Sequence, residues 1–348
     1  MILEVFDPVK SPGRISLTCD DKRDSMVHED CLELKGRAFH FGESSNDGDK
    51  AILCGSTVRL FDCKKQRCIQ TISRMSNAET ALAHDQKKMC LVDASRKGVT
   101  AAEFADENGL WVEKNRSLIK AINTDGGRPC FSSDDRYFFF TTDFCRLWRY
   151  TLGTGICECI WEKGFPDQLM QFDLYEDQIL IISGSSEKPD HCGFDILDIN
   201  GNVLKTLRYH GREETVTAGL PRSVWMNRDE IFTVHAKSVK HSYDLIQTVD
   251  WKKTGVLRTD PEGMKLERPS GYLYDFCISP DRRYLVFVWR NWQRKDMVFD
   301  IAIFTAGDMK KIHRSEVDRY ISMTHSVNSR YLLICSVGSC LRIDMGQA

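Results

Sequence analysis

Residues Tyr331 to Asp344 read YLLICSVGSCLRID, and four residues follow. An apolar run, a short turn and a second apolar run make a hairpin. The same plan recurs at Arg136 to Tyr150 as RYFFFTTDFCRLWRY. If this unit repeats, its last copy lacks an outer strand, and another part of the chain must supply it.

Three stretches share one pattern: FSSDDRYFFFTT (Phe131–Thr142), ISPDRRYLVFVW (Ile278–Trp289) and HSVNSRYLLICS (His325–Ser336). Each sets a polar turn and Arg-Tyr before an apolar run. Looser copies are DGDKAILCG, DQKKMCLVD, YEDQILIIS and NRDEIFTVH. The first apolar residues after each turn are Ala51, Met89, Tyr137, Ile179, Ile231, Tyr284 and Tyr331, spaced 38, 48, 42, 52, 53 and 47 apart. That is near the roughly 40–50 residue period of four-stranded propeller blades.

The apolar run is the second strand, b, of each unit. It is apolar at successive positions, as in Tyr137-Phe138-Phe139-Phe140, so both faces of its sheet are expected to be buried. A third strand ends in pairs such as Phe61-Asp62, Trp148-Arg149 and Ile343-Asp344, and turns such as TLGTG lead into strand d. No linker of Pro, Ser and Gly divides the chain, so 1–348 reads as one domain. The expected fold is all-β, a seven-bladed β-propeller of four-stranded antiparallel blades. Its ring is closed by an N-terminal strand that completes the last blade. Ile2–Phe6 is the economical candidate, paired with residues 340–344, and Ile15–Cys19 could serve instead.

The units resemble WD40-type propeller repeats. Ser279-Pro280-Asp281 and Ser132-Ser133-Asp134 carry the likeness, with Trp148 standing where the Trp of a Trp-Asp dipeptide would be. The resemblance covers the chain from Ala38 onward. It departs from the family in having no literal Trp-Asp closing a blade and no Gly-His opening one.

Apolar residues make up 42% of the chain and the net charge is −2, which gives no basic field for nucleic acid or an anionic membrane. No apolar run is long enough for a membrane helix. The 14 cysteines contain no CxxC, and with no secretory signal at the start they read as free thiols in the cytoplasm. No metal motif, P-loop, GxSxG or GxGxxG occurs, so no cofactor, no metal and no catalytic residues are expected. His325 aligns with Phe131 and Ile278 and reads as core.

In such a ring the b–c and d–a loops share one face. The long connections Gly184–Gly193, His210–Pro221, Lys252–Gly271 and Arg290–Met297 are all read as belonging to that face. Long loops on a rigid scaffold are where binding concentrates. The expected contact residues are Trp292, Arg290, Arg294, Trp289 and Lys295, with His210, Arg212 and Glu213. Trp and Arg bury large area and donate in fixed geometry. Trp289 could equally be the last core residue of its strand. The acidic Glu213, Glu214, Glu262, Glu267 and Asp296 argue against a nucleic-acid groove. The expected function is a non-enzymatic scaffold for a protein or peptide partner, as part of a larger complex. The alternative is a propeller enzyme of hydrolase or lactonase type, with its site at the central channel.

Overall fold

A computed structural model describes residues 2–5, 13–16, 28–33, 39–74, 78–124, 128–164, 168–184, 193–209, 222–236, 243–250, 256–257, 264–267, 272–290, 297–307, 310–336 and 339–346. Every regular element among them is a strand. The chain divides into two compact units. One is Met1–Asp93 with Phe104–Lys114 and Pro269–Ala348, and the other is Ala94–Glu103 with Asn115–Arg268.

The sheets are numbered here in the order of their second strands, with strands a to d in each. The first unit holds sheet one (Phe39–Ser44, Lys50–Gly55, Val58–Asp62, Arg67–Ser73) and sheet six (Tyr272–Ile278, Tyr284–Arg290, Val298–Thr305, Lys311–Asp318). It also holds sheet seven (Tyr320–His325, Tyr331–Ser336, Ser339–Asp344, His28–Glu33). The second unit holds sheet three (Cys130–Phe131, Tyr137–Thr142, Arg146–Thr151, Cys157–Glu162) and sheet four (Gln168–Tyr175, Gln178–Gly184, Gly193–Asp198, Val203–Tyr209). Sheet five there comprises Arg222–Trp225, Glu230–Ala236, Tyr243–Asp250 and Met264–Glu267. The strands of sheet two (Glu79–Leu82, Lys88–Ser95, Gly98–Glu107, Leu110–Ile119) are divided between the units.

The expected count of seven four-stranded blades is corrected to six. Sheet four is five-stranded, because Val256–Leu257 lies parallel to Arg208–Tyr209 on its outer edge. The added strand comes from the long connection that follows Asp250.

Double-sided burial of the b strands shapes both cores. Gln178–Gly184 is buried at every position, and so are Phe138 to Thr142. In the first unit Val286, Val288 and Ile301 of sheet six share a cluster with Leu332, Ile334 and Leu341 of sheet seven. The other face of sheet seven, Leu333, Cys335 and Cys340, packs with Ala51, Leu53 and Phe61 of sheet one. In the second unit sheet four is covered likewise, by Phe139, Leu147 and Trp161 on one face and by Trp225 and Ile231 on the other.

The a–b turn explains the Ser–Asp–Arg-Tyr pattern. The Ser132 hydroxyl donates to Asp134 at 2.7 Å and accepts from the Tyr137 amide at 3.0 Å. Ser279 does the same with Asp281 and Tyr284, at 2.6 and 2.9 Å, and Ser326 with Asn328 and Tyr331, at 2.8 and 2.9 Å. In each turn the fourth residue is left-handed, with φ of 53° at Asp135, 61° at Arg282 and 63° at Ser329. The arginine that follows lies over the tyrosine ring, for example Arg330 at 5.1 Å from the Tyr331 centroid. At Asp134 burial raises the carboxyl pKa, but the bonds from Ser132 and Arg136 outweigh it and hold the group below its ordinary value.

Ser45 caps the equivalent turn in sheet one, and its fourth residue is Gly48, at φ 71°. A Cβ there would lie 2.5 Å from Cζ of Tyr331. Gly48→Ala therefore combines left-handed strain with a clash. It is expected to cost about 2 kcal/mol of unfolding free energy, measured by urea titration. An unchanged midpoint would show that the turn relaxes freely.

The N-terminal expectation is corrected. Ile2–Val5 pairs with Gly13–Ser16, so neither Ile2–Phe6 nor Ile15–Cys19 completes sheet seven. His28–Glu33 does so, with His28 opposite Asp344 and Glu33 opposite Ser339. Asp7-Pro8 and Ser11-Pro12-Gly13 are turn formers, and a short local ribbon closes at little entropic cost. Gly13–Ser16 also lies beside Lys311–Asp318, so removing residues 1–16 should uncover that strand but leave every four-stranded sheet whole and the melt cooperative. Removing residues 1–35 should strip sheet seven of its outer strand and cause aggregation in size-exclusion chromatography. Equal behaviour of the two truncations would contradict the pairing.

Candidate functional site

Residues 185–192, 210–221 and 291–296 lie outside the described residues, and with them His210, Arg212, Glu213, Trp292, Arg294 and Lys295. The ends of the last connection are described. Trp289 is 2% exposed and stacks on Phe287 at 5.3 Å between centroids, with the planes 10° apart. It is a core residue, and its assignment as a contact residue is corrected. The apolar run of strand b continues through it, and the core needs its volume. Arg290 ends the strand, half-buried, opposite Tyr272 and Phe299. Met297, at the far end, is exposed.

The stretch Lys252–Gly271 is not a simple d–a loop. It contains Val256–Leu257 on the edge of sheet four, and Met264–Glu267, which pairs with Tyr243–Ile246 as strand d of sheet five. Most of the segment is thus a c–d connection. Its ends belong to opposite sides of strand c, and it does not extend the b–c and d–a loops as expected.

The inner strands carry carboxylates that hold the sheets together. In the first unit the Tyr320 hydroxyl donates to Asp275 at 2.5 Å, and the Thr324 hydroxyl donates to Glu43 at 3.4 Å. In the second unit Asp173 accepts the Trp225 amide at 2.8 Å. His325 is buried, as its alignment with apolar residues implied. Among the described residues no three His, Cys, Asp or Glu side chains are grouped to hold a metal ion. The eleven cysteines whose side chains are described are free thiols rather than disulfides. Burial pushes the Cys63 thiol up to about 11 and the Cys157 thiol up to about 12, away from the thiolate that a nucleophile needs. No described helix is long and apolar enough to cross a membrane.

One feature of the b–c and d–a end was missed by sequence reasoning. The b–c turn of sheet three is Thr142-Asp143-Phe144-Cys145, closed by the Cys145 amide on the Thr142 carbonyl at 3.2 Å. Asp143 and Phe144 are both left-handed, at φ 57° and 54°. Such turns favour Asn-Gly, and a bulky residue at the second position costs about 1 kcal/mol or more. The Asp143 carboxylate accepts the amides of Ile122 at 2.7 Å and Asn123 at 3.2 Å. The Asp143 amide donates back to the Asn123 side-chain oxygen at 3.0 Å. The d–a segment is thereby tied to the hairpin tip. Arg146 joins Asp143, at 3.3 Å, to Glu162, at 2.9 Å. Beside this frame Ile122 is 84% exposed and Phe144 is 40% exposed. The available signal was a hairpin tip carrying phenylalanine where glycine is usual.

No protein-family model matches the chain, and no curated protein matches it. Among solved structures it is similar to a chain of Kuenenia stuttgartiensis hydrazine synthase, at 12% identity and a TM-score of 0.65. The match covers 91% of this chain and 98% of that one. At that identity the likeness shows the fold alone. Together with the four-stranded antiparallel sheets it makes the chain a β-propeller protein.

Trp289→Ala should behave as a core truncation. A loss of about 3–5 kcal/mol of stability is expected in urea unfolding. A loss near zero would return Trp289 to the surface.

Proposed function

We propose that this chain is a divergent WD40-type propeller. In this reading it works as a non-enzymatic scaffold for a protein or peptide partner, within a larger cytoplasmic complex. The observation that carries the reading is the contrast between the two ends of the sheets. The a–b turns are short, those of sheets one, three, six and seven are built alike on a serine, and in the first unit turns bond to one another. Asn328 donates twice to Asn46, at 2.9 and 3.0 Å, the Asn46 amide donates to Gln86 at 3.2 Å, and the Asp281 amide to Ser329 at 2.8 Å. These bonds tie neighbouring turns together at that end of the first unit. Among the b–c and d–a connections, lengths vary from the tight turn at Asp143-Phe144 to the long segments 185–192, 210–221 and 291–296. Variable loops on a fixed frame suit recognition.

The engaged state of Asp173, Asp275 and Glu43 favours a scaffold over the hydrolase or lactonase alternative. The WD40 assignment rests on the Ser-x-Asp turns and on Trp148, whose indole donates to the Thr142 hydroxyl at 2.8 Å. The net charge of −2 favours protein over nucleic acid as the partner.

The test is affinity purification of the tagged chain, followed by binding measurements with the purified co-purifying protein. The double substitution Trp292→Ala with Arg294→Ala should weaken binding about 30-fold or more, with the circular dichroism spectrum unchanged. Unaltered binding would remove those loop residues from the interface. A chain that retains no protein but hydrolyses ester or lactone substrates would favour the enzymatic alternative.

A further inference from the structure

We propose that Ile122 and Phe144 are a preformed apolar anchor that inserts into an apolar socket on a folded protein partner. The proposal rests on the scaffold reading and names the residues and partner chemistry for it. Three observations carry it. First, the two side chains come from different connections of the second unit, both at the b–c and d–a end, and Asp143 holds their backbones together through three hydrogen bonds at 2.7, 3.2 and 3.0 Å. The pair is thus fixed before any partner arrives, which lowers the ordering cost of binding.

Second, Phe144 occupies a left-handed position that its side chain disfavours and still leaves 40% of its surface in water. Strain retained at an exposed tip points to a use outside the fold. An aromatic on a rigid turn is a common anchor type in interfaces.

Third, the charges around the pair select the partner. Arg146 lies between Asp143 and Glu162, and the exposed Lys120 precedes Ile122 by two residues, so the cations at the tip are matched by carboxylates rather than in excess. A membrane-inserting tip is usually flanked by uncompensated cations, and a nucleic-acid contact needs them. A protein socket edged by a lysine or arginine suits this tip, because the Glu162 side chain is 54% exposed and can receive it.

The experiment places the photo-crosslinking residue p-benzoylphenylalanine at position 144, and separately at Met297 and at Asp135 in an a–b turn, in cells that make the protein. Cross-linking to one protein from position 144 and not from 135 is expected. That protein is then purified and titrated against the wild-type chain, Ile122→Ser, Phe144→Asn and Asp143→Ala. Each of the first two should weaken binding about 30-fold. Phe144→Asn should also raise the melting temperature, because asparagine tolerates the left-handed turn. A merely structural phenylalanine would lower it. Asp143→Ala should weaken binding with the tip side chains intact.

Capture from Met297 but not from 144, or binding unchanged by Phe144→Asn, overturns the anchor and leaves the scaffold reading standing. Capture from no position overturns both. Flotation with phosphatidylcholine–phosphatidylserine vesicles that is lost in Phe144→Asn would make the tip a membrane contact and overturn the proposal. Cross-linking of position 144 only to a second copy of the chain would overturn it as well.

Discussion

The b strands are buried on both faces, and the rest of the structure follows from that. A sheet whose central strand reads Phe-Phe-Phe or Ile-Leu-Ile-Ile has no side that water can wet. It is stable only with another sheet on each face. Sheet seven meets this condition between sheets six and one, and sheet four between sheets three and five. The cooperative element is therefore the stack. Loss of Leu333 would be felt in sheet one as well as in sheet seven, and loss of Leu180 in sheet five as well as in sheet four.

Such stacking demands that every a–b turn deliver its b strand at the same height. In sheets three and six the serine hydroxyl does this by donating a hydrogen bond to the acidic residue two positions on and accepting one from the amide five positions on. The left-handed fourth residue completes the reversal, and the arginine covers the tyrosine ring. One end of the sheets is thus committed to geometry. The opposite end is free to vary, and the loops of different length, together with the exposed Ile122 and Phe144, are found there.

Much of this architecture was legible in the sequence. Continuous apolar runs marked the b strands, because burial on both faces removes alternation. The Ser-x-Asp turns were legible because side-chain chemistry makes them. The closing strand was not. His28-Glu-Asp-Cys-Leu-Glu33 is polar enough to pass for a loop, whereas Ile2–Phe6 looks like a strand but has a nearer partner. Met264–Glu267 escaped because four residues after a long connection carry too little pattern to mark a strand. The Ile122–Phe144 pair escaped for a different reason. Its link is a carboxylate accepting backbone amides, and backbone donors leave no trace in residue types. Trp289 was legible as a possible core residue, and its place at the end of an apolar run decided the matter.

The pairing of Glu33 with Ser339 also has a consequence for how the molecule is made. On the ribosome His28–Glu33 emerges about 300 residues before the strand it must join. Throughout that interval an unpaired, polar β-segment waits while the intervening sheets form. The mixed polar and charged composition of that segment then acquires a role in time. It keeps a strand without a partner soluble until Ser339–Asp344 has been made, and only then does the loop between the two strands close.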